Sequence, residues 1–206
     1  IKNDGSVKKL NELILTSSAY QRGSRHPDSN SVDEQDPKHQ LYATFNPRRL
    51  TAEELRDAML SASGELNREI GGIPCRPNIN HEIAMQPRQI MGGTASVYEP
   101  DPLPTQRNRR SVYAEKIRGM RDPFLETFNQ PGSDKSCEMR ETSTVAPQAL
   151  SLFNAEQMHN RALSFAERLL KEKNQRKAVL RRAFNLALGR QPLSEELTAC
   201  LQHWKQ

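Results

Sequence analysis

The stretch TAEELRDAMLSASG, residues 51–64, decides the fold class. Thr51 and Glu54 stand three apart ahead of an apolar pattern. In that spacing the hydroxyl and the carboxylate satisfy amide donors that a helix start would otherwise leave orphaned. Leu55, Ala58, Met59 and Ala62 recur at helical intervals. Gly64 then offers a residue that tolerates the left-handed conformation of a helix end. The pattern predicts a helix that starts at the Thr51–Glu54 box and stops at Gly64.

Working outward, Ser6 is suited to cap a first helix carrying Val7, Leu10, Leu13 and Ile14, which ends near Ser17-Ser18. Residues 20–36 are polar and aperiodic and are expected to form a surface loop. Asp36-Pro37 is expected to open a short helix that stops at Asn46-Pro47. Downstream, residues 71–108 contain Gly71, Gly72, Pro74, Pro77, Pro87, Gly92, Gly93, Pro100, Pro102 and Pro104, which break regular structure. A connection this long is usually functional or mobile. RSVYAE at 110–115 alternates roughly and is read as a short strand. Asp122-Pro123 is expected to start a brief helix through Phe128, closed by Asn129, Pro131 and Gly132. Ala146-Pro147 is expected to begin a helix whose Phe153 is buried, with Phe165 buried farther on. Ala162, Phe165, Ala166, Leu169 and Leu170 mark a long helix. Val179, Leu180, Ala183, Leu186 and Ala187 mark another, ended by Gly189, and Ser194 is expected to cap a third that runs to Trp204. The turn at Lys173-Asn174 makes the first two an αα-hairpin. The fold class is mainly α: an irregular helical domain with a long Pro/Gly-rich middle, room for one short strand pair, and a C-terminal αα-hairpin. We read residues 1–206 as one domain, with N-terminal helices in 1–70, the irregular Pro/Gly/Arg-rich middle in 71–145 and C-terminal helices in 146–206.

The chain has 206 residues and a formal charge of +5. Leu, Ile, Val and Phe number 41, just under a fifth of the chain, which is lean for a folded core, while the small net charge argues against disorder. No apolar run approaches the ~20 residues of a membrane span, and nothing resembles a signal peptide. The chain opens on Ile1 rather than Met and is read as a processed chain or a fragment of a larger protein, which would be expected to expose an apolar patch. Cys75, Cys137 and Cys200 are far apart, with no C-x-x-C, so a zinc ribbon, a thioredoxin pair and a c-type haem attachment site are excluded here. Three buried thiols are expected, with one disulfide plus a free thiol as the alternative.

Candidate chemistry is sparse. His26, His39, His81, His159 and His203 have no helical i, i+4 partner, and a metal site would have to be assembled from distant groups such as Cys75, His81 and Glu82. Asp28, Asn30, Asp33 and Asp36 resemble a calcium loop only loosely, because Val32 sits where a ligand belongs. Residues 161–190 hold nine basic and two acidic residues, without interleaved aromatics on the polar side, so we read a solvated face rather than a nucleic-acid surface. The middle set is Arg107, Arg109, Arg110, Arg118, Arg121 and Arg140, almost without lysine. Arginine suits buried forks onto carboxylates, carbonyls and anions. One reading has them tie loops to helices through Asp57, Asp122 or Glu126. The other makes Arg109, Arg110, Arg118 and Arg140 an anion- or partner-binding set. Being adjacent, Arg109 and Arg110 would point to opposite sides of an extended segment. One is expected to turn inward onto a carboxylate or helix C-terminal carbonyls. No G-x-S-x-G, Walker loop or paired carboxylates stand out.

The strings NPRRLTAEELRDAMLSASGEL (46–66), IGG (70–72), RRSVY (109–113), RDPFLETFNQP (121–131), STVAPQALSLFN (143–154) and LALGRQPLSEE (186–196) carry a resemblance. In this order, over roughly residues 6–197, the chain resembles the planctomycete-specific domain of unknown function at the C-terminus of large proteins with a cytochrome-c-like module. The resemblance implies an exported, periplasmic or cell-surface protein whose haem lies in an upstream module, with no cofactor in this chain. It also implies an upstream domain of the same polypeptide as partner, with polysaccharide as a further one. The family's acidic residue after Phe128 is Asn129 here. The sequence leans toward a non-catalytic interaction module. The alternative is a carbohydrate- or anion-binding or catalytic domain built on the arginine-rich middle.

Overall fold

The computed structural model describes residues 5–24, 26, 28–38, 40–45, 47–90, 93–134 and 136–204. The protein is mainly α, and the chain forms two compact units, residues 1–49 and 50–206. In the described residues no helix is long and apolar enough to cross a membrane.

In the first unit, α1 (Val7–Leu15) starts as expected, with Ser6 accepting from the Lys9 amide. The expected loop at 20–36 contains a second helix, α2 (Ser29–Gln35). Asp28 caps it by accepting from the Ser31 amide at 3.3 Å, a local signal stronger than the missing apolar period. The helix expected from Asp36-Pro37 does not form over the described residues 37–38 and 40–45; His39 and Asn46 lie outside them. The buried Asp36 carboxylate instead accepts from the Gln40 and Leu41 amides at 2.8 and 2.6 Å. Those bonds fold the chain back on itself, an arrangement that competes with helix. The connection closes where the Phe45 amide donates to the Gly23 carbonyl.

The second unit is built on α3 (Ala52–Ser63). The full capping box forms at Thr51 and Glu54, and Gly64 ends the helix at φ +83°. Of its expected apolar stripe, Leu55 and Met59 pack against the core, but the most buried positions lie to one side of it. Ala52, Leu60 and Ser63 are buried and Ala58 is exposed. The i, i+4, i+8 row through Ala52 and Leu60 therefore puts Arg56 between two buried apolar positions. Against this face packs α6 (Pro123–Thr127), where Phe124 and Leu125 join Ala52 in the small apolar core; the Phe124 and Phe128 rings lie 5.1 Å apart.

In the middle, α4 (His81–Ala84) and α5 (Pro104–Arg107) are single turns. The strand pair is β1 (Arg88–Ile90) with β2 (Gly93–Ala95), antiparallel; Gly92 lies outside the described residues. The strand expected at 110–115 is a 3-10 turn over Ser111–Tyr113, and only single bridges flank it, Arg109 to Asn67 and Ala114 to Cys75.

The C-terminal helices are α7 (Ala146–Asn154), α8 (Glu156–Glu172), α9 (Arg176–Leu188) and α10 (Ser194–His203). The turn between α8 and α9 makes the expected αα-hairpin, and Gly189 ends α9 in the left-handed region. Ser194 is the first helical residue rather than the cap; the Glu196 carboxylate reaches back to the Leu193 amide at 2.8 Å. Phe153 is 77% exposed, against expectation. α7 turns Gln148 inward instead, its carboxamide donating to the Thr127 carbonyl at 3.0 Å, and that polar anchor leaves the Phe153 side outside. On α8 Leu169 is buried and Phe165 half-buried, while Ala162, Ala166 and Leu170 are exposed, because Arg161 and Arg168 occupy the inner side. Arg168 donates to the Ser61 and Ala62 carbonyls at the end of α3, at 3.0 and 2.8 Å.

Replacing Thr51 with Ala is expected to cost ~1 kcal/mol, because the Glu54 amide loses its acceptor and the Glu54 carboxylate loses the hydroxyl that orients it. Urea melts of the variant and parent check this; equal midpoints would show that the box does not contribute.

Candidate functional site

The middle segment is held by arginines donating to backbone carbonyls. From α3, Arg56 donates to the Arg107 and Arg109 carbonyls, both at 2.9 Å, and to the Ser111 hydroxyl at 3.1 Å. Its neighbour Asp57 accepts from the Ser111 amide at 2.8 Å and from its hydroxyl at 2.7 Å. The pair clamps residues 107–111 to the helix. From that segment Arg109 reaches on to the carbonyls of Ile73 (2.7 Å), Glu69 (3.3 Å) and Gly71, with its guanidinium 4.3 Å from the centre of the Tyr113 ring. Gly71 and Gly72 sit at φ +82° and +80°, which lets the loop turn its carbonyls to one donor. Arg107 grips the Asp101 and Pro102 carbonyls, both at 2.9 Å.

The four singled-out arginines fall at different places. Arg109 is only 7% exposed and faces inward, onto loop carbonyls rather than the expected carboxylate or helix end, and Arg110 is exposed. Arg118 is also exposed. Arg140 forks onto Glu53 at 2.6 Å, with Lys116 at 3.5 Å from the same carboxylate. Burial works against the Glu53 charge, but the Arg140 hydrogen bond leads the groups that hold it below the ordinary carboxylate range. None of the four lines the cleft that lies between α3, α6 and the start of α8.

That cleft has a volume of about 860 Å³. Its floor comes from α3 (Met59, Leu60) and α6 (Phe124), one wall from the start of α8 (Glu156, Gln157, Asn160, Arg161), and the other from Pro77–His81 and Val97–Pro100. Short hydrogen bonds set the second wall: the Tyr98 hydroxyl donates to the Pro77 carbonyl at 2.7 Å and its amide to the Ala84 carbonyl at 3.2 Å. Cys75 ties the wall to the clamped segment, its amide donating to Tyr113 and its carbonyl accepting from Glu115 at 2.8 and 2.9 Å.

Asp122 lies in the floor, buried. One carboxylate oxygen accepts from the Phe124 amide at 3.0 Å as the cap of α6, and the other accepts from the Gln157 carboxamide at 2.9 Å. Burial raises its pKa above the ordinary carboxylate range, opposed by the Gln157 and Phe124 hydrogen bonds and the charge of Arg56. Arg161 lies 2.9 Å from a Glu65 carboxylate oxygen, at an angle that makes no hydrogen bond.

Among the described residues no three His, Cys, Asp or Glu side chains gather around a metal-sized space. Asp28 and Asp36 flank α2 as its cap and its end. No cysteine is paired, and the three are not uniformly buried: Cys75 is buried, Cys200 half-buried and Cys137 exposed. Asn129 holds φ +61°, which Asn tolerates better than most residues, and its carboxamide donates to the Ser143 hydroxyl at 2.9 Å. Sequence reasoning missed Arg56, Gln157 and the cleft. A basic residue at i+4 between Ala52 and Leu60 was the available sign of Arg56.

Arg109→Ala is expected to destabilise the fold by ~2–3 kcal/mol, since three carbonyls lose a charged donor, whereas Arg110→Ala stays within ~0.5 kcal/mol. Denaturant midpoints of the two variants check the contrast. Asp122→Asn tests the buried carboxyl. Because the folded-state pKa lies above the unfolded one, the folded parent holds more protons, so its stability falls as pH rises from the ordinary carboxylate range through the raised value. A carboxamide does not titrate. Relative to the variant, the parent should therefore lose stability across that window and run parallel to it below. Melts of both from about pH 3 to pH 8 measure the difference, and parallel curves throughout would refute it.

No curated protein and no solved structure matches the chain. One family does match, PSD1, described as proteins of unknown function (DUF1553), over residues 1–204. With nearly its whole length inside that match, the chain belongs to the PSD1 family.

Proposed function

We propose that this protein is a non-catalytic interaction module of an exported, cytochrome-c-associated multidomain protein, seated against an upstream domain of the same polypeptide at the periplasmic or cell surface. What supports it is apolar surface on two packed helices. Phe153 and Leu150 on α7 and Leu163 and Leu170 on α8 are exposed, Phe153 at 77% and Leu163 at 69%. Meanwhile the buried apolar cluster among the described residues is small, Ala52, Phe124 and Leu125 with half-buried neighbours, and Leu60, Leu169 and Val179 are buried outside it. Apolar side chains of this size on neighbouring helices are what a docking face presents. The haem chemistry belongs to the upstream module.

The test compares this chain alone with the full polypeptide. Oxidative footprinting should label Phe153 and Leu163 readily in the isolated chain and several-fold less in the longer protein, which should also bind haem and fractionate with the periplasm or envelope. Equal labelling in both would overturn the docking, and a full polypeptide without haem would overturn the association.

A further inference from the structure

We propose that the cleft between the start of α8 and the 77–81 and 97–100 wall is a binding site for a neutral oligosaccharide. Hydrogen-bonding groups stand free around its rim. The side chains of Asn78, Asn108 and Asn160 make no hydrogen bond with described residues, and Asn78 and Asn160 are exposed. A carboxamide offers a donor and an acceptor side by side, the pairing that adjacent sugar hydroxyls need. The volume, about 860 Å³, lies in the range of small-molecule sites and has room for more than one sugar ring.

Charge selects the class. The two arginines of the cleft are engaged, Arg56 on the carbonyls of Arg107 and Arg109 and Arg161 in an ion pair with Glu65, and the other basic side chain of the lining is the exposed imidazole of His81. The carboxylates of Glu99 and Glu156 are exposed and free of any ion pair with described residues. A sulfated or uronate chain would meet two free carboxylates with no free arginine or lysine in the lining to offset them, so the rim disfavours it. A peptide would need apolar anchors, and open apolar surface in the cleft is limited to a few side chains such as Met85 and Val97, 52% and 44% exposed. The rings of Tyr98 in the wall and Phe124 in the floor are buried and give no stacking face, so binding should be weak. None of this depends on the α7–α8 docking face, since Leu150, Phe153, Leu163 and Leu170 do not line the cleft.

The test titrates the whole chain with cellohexaose, xylohexaose, mannohexaose and a sulfated galactan hexamer, to about 10 mM, following backbone amide shifts by NMR. At least one neutral hexaose should saturate, moving the amides of residues 78–81, 97–99 and 156–161. The sulfated oligomer should not compete. An Asn78→Ala/Asn160→Ala variant should keep the parent melting temperature, both sites being exposed, and bind at least tenfold more weakly. Shifts confined to other residues, no saturation by any neutral hexaose, preferential binding of the sulfated oligomer, or unchanged affinity in the variant would each overturn the proposal. Because shift mapping uses the parent, that measurement stands even if the variant misfolds.

Discussion

Arg56 is a charge placed on the inner face of a helix, and the second unit is organised around keeping it hydrated by protein. Burial of a guanidinium is costly unless its donors are met, and here two carbonyls and a hydroxyl meet them, with Asp57 beside it. Lysine could not do the same work: one point charge cannot fork across the carbonyls of residues 107 and 109 and the Ser111 hydroxyl at once. The partners lie more than fifty residues away in sequence, so the bonds close a long loop onto α3. Once residues 107–111 are fixed, Arg107 and Arg109 are themselves fixed and become donors for the next layer, the 101–102 and 69–73 carbonyls.

This sequence of clamps explains how a Pro/Gly-rich middle stays ordered with so little sheet. Prolines remove amide donors and glycines weaken strands, so the usual ladder of backbone bonds is not available. Arginine supplies donors from side chains in its place, and the same device recurs where Arg168 of α8 meets the last carbonyls of α3. The apolar core can then remain small. A fold that depends on polar networks is sensitive to each member, because one lost partner leaves other buried groups unmet.

The parts of this arrangement legible in the sequence are those specified locally. The Thr51–Glu54 box, the prolines at 123 and 147 and the glycines at 64 and 189 act within one turn of their own position, and the structure uses each as its chemistry suggests. Helix faces were less legible. Periodicity assigns the inward side to Ala58 and Phe153, but Arg56 and Gln148 take it, because hydrogen bonds to distant carbonyls outweigh the burial of one more apolar side chain there. The concentration of arginine in the middle showed that side-chain donors matter. Which arginine faces inward was decided by the 69–73 loop and by Arg56, and neither is adjacent in sequence.

The cleft was invisible in the sequence for a related reason. Its two walls belong to segments about sixty to eighty residues apart, α8 and the irregular 77–100 stretch, and no motif links them. The second wall has no helix or sheet of its own at 97–100; it hangs from Tyr98 and, through Cys75, from the segment that Arg56 holds. Rigid placement of Asn78 therefore depends on a helix it does not touch in sequence. The floor is set by the same helix, with Met59 and Leu60 a turn beyond Arg56. One helical face thus fixes both the floor and, through its arginine, the remote wall, and the free carboxamides stand at the rim because the clamp's own hydrogen-bonding needs are met by backbone carbonyls, Asp57 and Ser111.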